Sequence, residues 1–405
     1  MTTRPASTLA PDDRRPQRLI GLDLFRTLAV FGMLVAHVGP AAWSPDGRFG
    51  QVHWEWEVFH SRMPAMFAFA AGLSLNLSAR RLDGHVREAA GMVVRAVLLL
   101  GCGLLLTALG TPVVVILGAF AAFFVLAIPF LRARTVPLLW AAGTWAVLGP
   151  PLSMVLRVLL PERTNPLWDL LVSGDYPALT WMPFVLAGVA IGRLDLAARA
   201  VRRRLALVGA ALATFAYGGS ALVMHLAGRS AIVASLPDQD PAEYASRFFA
   251  ERGVTDTGSW WWLLSDAPHS GSWGDVLGAL GTCILLLALL LGAGDRAMEA
   301  DRSRGGRATR PLAVWLAAPG AMVLSVYALH IVAMWAITAG TGYSFAPSQP
   351  AWMLVAFVVG LGVFATVWLR FRSQGPLELL MSRLTRLLLP GGRRGTRSTR
   401  GSSRR

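Results

Sequence analysis

The 405-residue sequence has no lysine, two cysteines and few charged side chains of any kind. Charged residues make up 15% of the chain and hydrophobic residues 54%, with a mean hydropathy of +0.51. Soluble globular domains carry about 25% charged residues, so this composition excludes them and predicts a membrane protein. Cys102 and Cys283 both lie in apolar runs. They provide neither a disulfide framework nor metal-ligand spacing, so we expect no metal site.

The positive charge of the chain has a membrane explanation. A net charge of +15 in a soluble protein would suggest binding to nucleic acid. Here the arginines fall in short segments between apolar runs, which is where the positive-inside rule puts them. We therefore expect the lipid bilayer, and no nucleic acid, as a partner.

The apolar runs predict an all-α, polytopic membrane protein, a bundle of about ten transmembrane helices. A crossing of the hydrocarbon core, about 30 Å, needs about 20 apolar residues. Ten segments satisfy this requirement between charged or turn-forming residues, and they are approximately 19–41, 58–78, 90–109, 112–131, 136–157, 177–193, 205–226, 275–294, 315–340 and 351–370.

Two uncharged stretches are too long for one crossing. Residues 96–131 contain Gly110, Thr111 and Pro112 near their middle, which predicts a hairpin of two spans. Residues 311–350 are interrupted by Pro319 and Gly320. We expect a short interfacial or re-entrant piece there, followed by one span.

The distribution of arginine predicts the orientation. Of the 38 arginines, 29 fall on one side if both termini are cytoplasmic. The chain then divides into a disordered basic tail (1–18), a transmembrane domain (19–380) and a second basic tail (381–405), with a long outer loop at 227–274. The basic start resembles a secretory signal, but Asp23 and Arg26 interrupt its apolar run. We predict a retained first helix in the cell inner (plasma) membrane.

Ionisable side chains inside spans are functional candidates, because burying one in lipid costs about 2.5–3.5 kcal/mol. Arg26 and His37 are eleven residues apart, so they fall within about 20° of one helix face and about 16 Å apart along the axis. Asp23 is three residues before Arg26, which permits an ion pair. The pair has either a structural role or a role at the cytoplasmic entrance. His37 either caps the helix near Gly39 or serves chemistry.

Two further groups of polar residues have two interpretations each. His60 and Arg62 open the second span, where they either lie at the membrane interface or turn inward to hold a substrate. Tyr327 and His330 share a face of the ninth span. His330 lies between apolar neighbours and needs a polar partner, which is either a backbone carbonyl group in a structural role or a group of the site.

Several stretches together resemble the bacterial transmembrane acyltransferases, and most closely the group similar to the catalytic domain of heparan-α-glucosaminide N-acetyltransferase. No single motif is specific, but their order and positions between about 18 and 380 are. The stretches are Arg18 to Arg26 continuing to His37, His60-Ser61-Arg62 continuing to Gly72, Asp175-Tyr176-Pro177 with Trp181, Gly192 to Leu196, Pro268-His269-Ser270-Gly271, Ser325 to His330, and Gly375-Pro376-Leu377-Glu378.

The resemblance implies an acyltransferase with a cytoplasmic acyl-CoA donor, with acetyl-CoA as the expected form, and an acceptor such as a sugar hydroxyl or amine at the outer face. It also implies a catalytic histidine in or just after the first span. The chain offers His37 within the span and His53 after it, where His53-Trp54-Glu55-Trp56 is not a clear copy of the heparan enzyme's motif. Both histidines remain candidates, and the depth of His37 in the membrane favours it.

The predicted site has three groups of residues. A neutral imidazole can deprotonate an acceptor or carry an acyl group, and arginine suits the phosphates of CoA. The predicted catalytic residues are His37, His269 and His330, the donor-binding residues are Arg26 and Asp23, and the acceptor-binding residues are His60, Arg62, Tyr176 and Tyr327.

A transporter of small molecules or lipids, or an inactive scaffold of the same fold, are the alternative functions. A transporter would also place charged residues along a pathway between helices, but no convincing internal repeat supports one. Fold alone does not exclude the scaffold. The sequence leaves the acceptor and the acyl chain open, and homo-oligomerisation is compatible with it.

Overall fold

A computed structural model of the chain describes residues 19–44, 51–59, 62–79, 85–161, 165–250, 252–303 and 310–389. These residues are almost entirely helical, which confirms the all-α prediction; two-residue strands β1 (Trp43–Ser44) and β2 (Gln51–Val52) pair in antiparallel register. The predicted tail 1–18 and residues 390–405 of the second predicted tail lie outside the described residues.

The first half of the described chain contributes eight α-helices. They are α1 (Ile20–Val38), α2 (Trp54–Glu57), α3 (Arg62–Ala79), α4 (His85–Thr107), α5 (Leu117–Ala127), α6 (Thr135–Leu159), α7 (Pro166–Trp168) and α8 (Ala178–Ile191). The second half contributes another eight, which are α9 (Arg199–Val223), α10 (Arg229–Ser235), α11 (Pro241–Ala250), α12 (Trp273–Ser303), α13 (Arg310–Ala321), α14 (Val323–Thr341), α15 (Ala351–Phe371) and α16 (Pro376–Leu388).

All ten predicted spans coincide with helices, and the chain is a multi-pass membrane protein. Seven helical stretches of the described residues are long and apolar enough to cross a membrane: α1, most of α4, α6, α9 with α10, most of α12, α14 and α15. The other three predicted spans correspond to α3 and to the shorter apolar helices α5 and α8. Because α8 has 14 residues, it measures about 21 Å, less than the core thickness of about 30 Å.

The helix α8 lies at the centre of the bundle. Almost all of its side chains are buried, against α3, α5 and α6. Gly72 of α3 and Gly188 of α8 allow a close approach of the two helices, since a Cβ atom on Gly72 would lie 2.2 Å from the carbonyl oxygen of Val185. Small residues at such crossings are typical of helix packing in membranes. A short, fully packed helix of this kind supports the loops at both of its ends.

The two long uncharged stretches break as predicted. Residues 110–116 are non-helical between α4 and α5, because Pro112 lacks an N–H group and three β-branched valines follow it. Pro319 and Gly320 precede the end of α13, and Met322 separates α13 from α14. The expected short piece before the ninth span is therefore α13.

Two helices extend beyond the boundaries taken from the sequence. The helix of the seventh span continues past residue 226 to Ser235 through a π-helical turn at Met224–Gly228, because no proline interrupts the chain before Pro237. The predicted outer loop 227–274 thus begins as helix, and α11 forms within its polar part. Helix α16 also enters the region assigned to the second tail, so residues 381–388 are helical.

Candidate active site

A cavity of about 410 Å³ lies at the end of the bundle that carries the 227–274 segment. We call it the loop-side cavity. It forms where the ends of α1 and α8 meet the loops after α4, α11 and α14. Its polar and aromatic lining includes His37, Trp43, Glu57, Tyr176, Arg252 and His269.

Part of the cavity wall is unwound backbone. Pro112, Val113 and Val114 line it, within the non-helical segment between α4 and α5. Irregular backbone at membrane depth is tolerated only where protein or a polar cavity satisfies its N–H and C=O groups. Here the hydroxyl of Tyr176 lies 3.5 Å from the carbonyl oxygen of Val114. This hydrogen bond ties the unwound segment to Tyr176, so the wall of the cavity is a defined part of the fold.

His37 occupies the last turn of α1 and lines the cavity. The helix ends after it because Pro40 follows Gly39, whose N–H donates to the carbonyl oxygen of Val35. The carbonyl oxygen of Gly39 accepts a hydrogen bond from the N–H of Gln349 at 2.9 Å. The loop after α14 is thereby held over the end of α1, and the imidazole has a fixed position at the cavity wall.

His37 and His330 form a hydrogen-bonded pair. Nδ1 of His37 lies 3.0 Å from Nε2 of His330, and the two rings are 5.1 Å apart at an interplanar angle of 6°. His330 is 0% exposed. Its Nδ1 atom is buried near the backbone of Val326 and Tyr327 in the preceding turn of α14, without a well-aligned hydrogen bond among the described residues. The polar partner that the sequence requires for His330 is thus His37.

Tyr327 lies behind this pair and not at the cavity. Its side chain is fully buried, its ring is 5.1 Å from that of His330, and its hydroxyl accepts a hydrogen bond from the N–H of Ile116 at 3.3 Å. The structure therefore does not bring Tyr327 to the surface where an acceptor would bind. Its contacts fit a residue that positions His330 and the start of α5.

The structure brings His269 to the cavity through a loop with unusual backbone conformation. His269 has a φ of 63°, which is uncommon for a residue other than glycine and occurs often at functional sites. Its Nδ1 accepts a hydrogen bond from the N–H of Gly253 at 3.1 Å. A neutral imidazole that accepts at Nδ1 carries its proton at Nε2. His269 is therefore a hydrogen-bond donor through Nε2.

Gly253 makes this arrangement possible. It has a φ of +76°, and a Cβ atom there would lie 2.1 Å from the carbonyl oxygen of Gly174. Its N–H also donates to the carbonyl oxygen of His269 at 2.5 Å. Only glycine combines the left-handed conformation with so close a contact between the 174–177 and 252–255 loops.

Aromatic side chains hold the His269 ring on two sides. The ring centroids of Tyr176 and Trp181 lie 5.3 and 5.4 Å from it. Burial raises the pKa of Tyr176 above its ordinary value, so its hydroxyl keeps its proton at neutral pH. Of the predicted acceptor-binding residues, Tyr176 is one that the structure brings into the cavity together with His37 and His269.

Glu57 is a cavity residue that the predicted site did not include. It is 5% exposed at the end of α2, and one of its oxygens lies 3.7 Å from the guanidinium of Arg62. Arg62 also donates to the carbonyl oxygen of Glu57 and lies over the ring of Tyr217. Arg62 is thus turned inward behind Glu57. The sequence could not show which glutamate would be buried, because Glu55 and Glu57 alternate with tryptophans in the same four-residue run before the second span.

Asp23 and Arg26 form their predicted pair at the other end of α1. The guanidinium of Arg26 lies 3.4 Å from a carboxylate oxygen of Asp23 and donates to the hydroxyl of Ser74 in α3 at 2.8 Å. Asp23 is buried and Arg26 is 17% exposed. Neither residue lines the loop-side cavity, so the pair is separated from His37 by most of α1.

The rival histidine has a different environment. His53 precedes α2, its side chain is 41% exposed and 3.9 Å from Glu55, and it does not line the loop-side cavity. His60 lies outside the described residues. Of the two candidates for the catalytic histidine, His37 is the one within the cavity wall.

Two of the stretches that carried the resemblance have structural contacts. Arg193 donates to the carbonyl oxygens of Leu131 and Ala133, closing the end of α8 against the turn after α5. Glu378 accepts hydrogen bonds from the N–H groups of Leu324 and Ser325, the first turn of α14. A carboxylate satisfies N-terminal donors and the helix dipole there. Glu378 thereby fixes the start of the helix that carries His330.

No group of three or more histidine, cysteine, aspartate or glutamate side chains that could hold a metal ion occurs in the part of the chain that the structure describes. The polar groups of the cavity are imidazole, carboxyl, phenol and guanidinium. These can transfer protons and form hydrogen bonds to a bound substrate.

Two known protein families match parts of the chain. The family described as heparan-alpha-glucosaminide N-acetyltransferase, catalytic, matches residues 18–233, just over half of the chain. The family described as protein of unknown function (DUF418) matches residues 257–387. The two regions contribute His37 and His330, respectively, to the hydrogen-bonded pair. None of the curated proteins matches the chain.

Proposed function

Because the chain belongs to the heparan-alpha-glucosaminide N-acetyltransferase catalytic family, we propose that it is an acyltransferase of the cell inner membrane. It takes the acyl group, in the first instance acetyl, from acyl-CoA at the cytoplasmic face. The acceptor is a hydroxyl or amine at the opposite face. The observation that carries this proposal is the imidazole of His37, which lines an open cavity while its other side is bonded to the buried His330.

His37 is the base in this proposal. The acceptor oxygen or nitrogen forms a bond to the thioester carbon, its proton passes to His37, and the carbon–sulfur bond breaks. The proton then passes to the CoA thiolate. A correctly placed base accelerates such a step about 10² to 10⁴-fold. In the alternative route, the acyl group resides briefly on the same imidazole.

His330 orients this base. A hydrogen bond at one nitrogen of an imidazole decides which nitrogen carries the proton. His330 faces backbone carbonyl groups of its own helix, which only accept hydrogen bonds. This supports a tautomer of His330 with its proton on Nδ1 and an accepting Nε2. Nδ1–H of His37 then donates to His330, and Nε2 of His37 keeps the lone pair that a base requires.

His269 and Tyr176 act on the other side of the cavity. Nε2–H of His269 is suited to donate to the oxyanion that develops on the thioester carbonyl, or to orient the acceptor. Tyr176 remains protonated and packs against the His269 ring. Arg26, held by Asp23 at the proposed cytoplasmic end of α1, is the proposed contact for the donor, because guanidinium groups bind phosphates.

Purified protein incubated with radiolabelled acetyl-CoA tests the function. We expect thioester hydrolysis or transfer of label to an added amine or hydroxyl acceptor. Label that remains in intact acetyl-CoA under all conditions, with no binding of CoA, would contradict the proposal and favour the scaffold. Transport of an unmodified solute by reconstituted vesicles, without acyl transfer, would favour the transporter.

The orientation has its own test. Reporter fusions at residue 240 and at the carboxyl terminus should give opposite signals, because 29 of 38 arginines lie on one side of the proposed topology. The same signal from both fusions is incompatible with that topology.

A further inference from the structure

We propose that Glu57 binds the acceptor in the loop-side cavity, where its carboxylate accepts a hydrogen bond from the N–H or O–H group that is to be acylated. This inference rests on the proposed function and concerns the acceptor side of the same cavity. It assigns a role to a residue that neither the sequence pattern nor the family descriptions single out.

The first support is the placement of Glu57 on its helix. Helix α2 has four residues and carries two glutamates. The side chain of Glu55 is 64% exposed, whereas Glu57 is 5% exposed and lines the cavity. Burial of a carboxyl group is costly unless its oxygens are satisfied. The burial of Glu57 beside a cavity therefore needs an explanation, whereas the exposure of Glu55 does not.

The second support is an oxygen atom without a protein partner. Oε2 of Glu57 is buried and has no hydrogen-bond partner among the described residues. Oε1 lies 3.7 Å from Arg62, which is beyond a normal hydrogen-bond distance. An acceptor with a hydroxyl or amine group would supply the missing donor.

The third support is the excess of carboxyl groups around one guanidinium. Arg62 at the start of α3 faces Glu57, while Asp266 from the loop before α12 and Asp275 from α12 itself also act on Glu57. Tyr217 of α9 packs under Arg62. Among the described residues, Arg62 is the cation that acts on Glu57, so repulsion by the two aspartates favours the protonated form of Glu57.

Glu57 is the group that faces the cavity. Burial raises its pKa to about 7, with smaller contributions of the same sign from Asp266 and Asp275 and an opposing one from Arg62. The carboxyl group therefore changes between its neutral and ionised forms near neutral pH. Only the ionised form leaves both oxygens as acceptors for the substrate.

The charges on the cavity wall indicate the class of acceptor. Glu57 and Asp175 line it with negative charge, and Arg252 is the cation among the charged lining residues of the described chain. A neutral polyol or an amine meets less repulsion there than an anionic molecule does. We infer that the acceptor is a hydrogen-bond donor without net negative charge.

The test compares Glu57→Gln with the matched control Glu55→Gln from the same helix. Purified proteins receive radiolabelled acetyl-CoA with glucosamine, glucose or glucuronate as amine, neutral and anionic probes. For Glu57→Gln we expect a KM for the amine or neutral probe raised about tenfold or more, corresponding to a lost hydrogen bond to a charged group. The rise of kcat/KM with pH near pH 7 should be flattened. Glu55→Gln should match the wild type.

Two readouts separate this inference from the proposed function. Hydrolysis of acetyl-CoA in the absence of a probe reports the proposed function alone, and the control Glu55→Gln should match the wild type in it. An unchanged KM and pH profile in Glu57→Gln, or transfer to glucuronate in preference to the other two probes, overturns the inference and leaves the function standing. A wild-type protein with neither hydrolysis nor transfer overturns both.

Infrared spectroscopy provides a readout that does not depend on turnover. Between about pH 6 and about pH 8, the wild type should lose a protonated-carboxyl band that Glu57→Gln lacks, and adding glucosamine should shift that band. No shift on addition of either the amine or the neutral probe contradicts the inference. If Glu57→Gln does not fold, Glu57→Asp takes its place, because it keeps the charge and shortens the side chain. Glu57→Asp should raise the KM for the amine or neutral probe, and an unchanged KM overturns the inference.

Discussion

Helix α1 carries polar side chains at both ends, and the two ends differ in what satisfies them. At one end, Arg26 is bonded to Asp23 and to Ser74 of the neighbouring helix. At the other end, His37 is bonded on one side to His330 and borders a cavity on the other. The first network has its contacts within the protein and lies away from the cavity, whereas the second includes a histidine that lines the cavity.

This difference shows how a polar side chain that is costly to bury in a membrane protein indicates function. A charged pair with protein partners recovers its desolvation cost within the fold. An imidazole beside a cavity recovers its desolvation cost partly through a substrate or water. Folding alone therefore does not explain why a histidine occupies this position. The comparison predicts that changes at the His37 end reduce catalysis and changes at the Arg26 end reduce donor binding or stability.

The largest effect is expected for His37→Ala. Loss of the base should reduce acyl transfer about 10² to 10⁴-fold while the protein still folds and binds CoA. The matched control is His53→Ala, which removes an exposed histidine outside the cavity wall and should retain most activity. Label-transfer assays on both variants decide the point, and the opposite ranking would place the catalytic histidine in the loop.

A smaller loss is expected for His330→Phe. Phenylalanine keeps an aromatic ring beside His37 but cannot accept the hydrogen bond from Nδ1, so the base loses its fixed tautomer. Transfer should fall about tenfold to a hundredfold, as for a lost hydrogen bond to a group that becomes charged. KM for the acceptor should change little. A large KM effect with unchanged kcat would contradict an orienting role.

Gly253→Ala should reduce transfer about tenfold by moving His269. The added Cβ atom clashes with the carbonyl oxygen of Gly174 in a left-handed conformation. Gly258→Ala is the control in the same segment, since its Cβ atom would meet only the flexible side chain of Asp256. Equal rates for the two variants would show that the position of His269 does not matter for transfer.

Arg26→Ala tests the other end of the helix. We expect affinity for CoA to fall about five- to tenfold in calorimetry on the protein in detergent, because the guanidinium is the proposed phosphate contact. Ser74→Ala removes its neighbouring hydrogen-bond partner and should affect CoA less. Unchanged affinity together with lower thermal stability in Arg26→Ala assigns the Asp23 pair a purely structural role.

The last prediction concerns stability and pH at Glu57, away from either end of α1. Because burial raises its pKa from 4.5 to about 7, the folded protein binds a proton between these values that the unfolded chain releases. Stability therefore falls as the pH rises from about 4.5 to about 7 and then stays lower. Glu57→Gln removes this penalty, which is at most about 3 kcal/mol. The same change also removes the ion pair with Arg62, which offsets part of the gain in stability.

Thermal unfolding in detergent should accordingly show Glu57→Gln to be more stable than the wild type at about pH 8, with the difference shrinking toward about pH 5. Glu55→Gln, with its exposed side chain, should match the wild type at both values. A Glu57→Gln protein that is less stable at about pH 8 than at about pH 5, relative to the wild type, would show that the ion pair outweighs the burial.

The sequence by itself determined the class of the protein and most of its helices. Apolar runs of about 20 residues can only be satisfied in lipid as helices, because every backbone N–H and C=O group must find a partner within the segment. The break at Pro112 and the break after Pro319 follow from the missing N–H of proline in the same way. The continuation of the α9 helix through α10 was missed, because the span was ended at the length of a crossing, about 20 apolar residues, whereas a helix can extend beyond the membrane until a residue such as Pro237 ends it.

The sequence also predicted His37, His269, His330 and Tyr176 as site residues, because each is costly at its position or belongs to a stretch that resembles the family. Their mutual arrangement was decided by the tertiary structure alone. The contact between His37 and His330 joins residues 293 positions apart. Spacing along one helix predicts only neighbours on that helix, whereas this pair depends on how α1 and α14 pack. The burial of Glu57 and the withdrawal of Tyr327 from the cavity depend on packing in the same way, since local sequence does not encode which face of a short segment the rest of the chain covers.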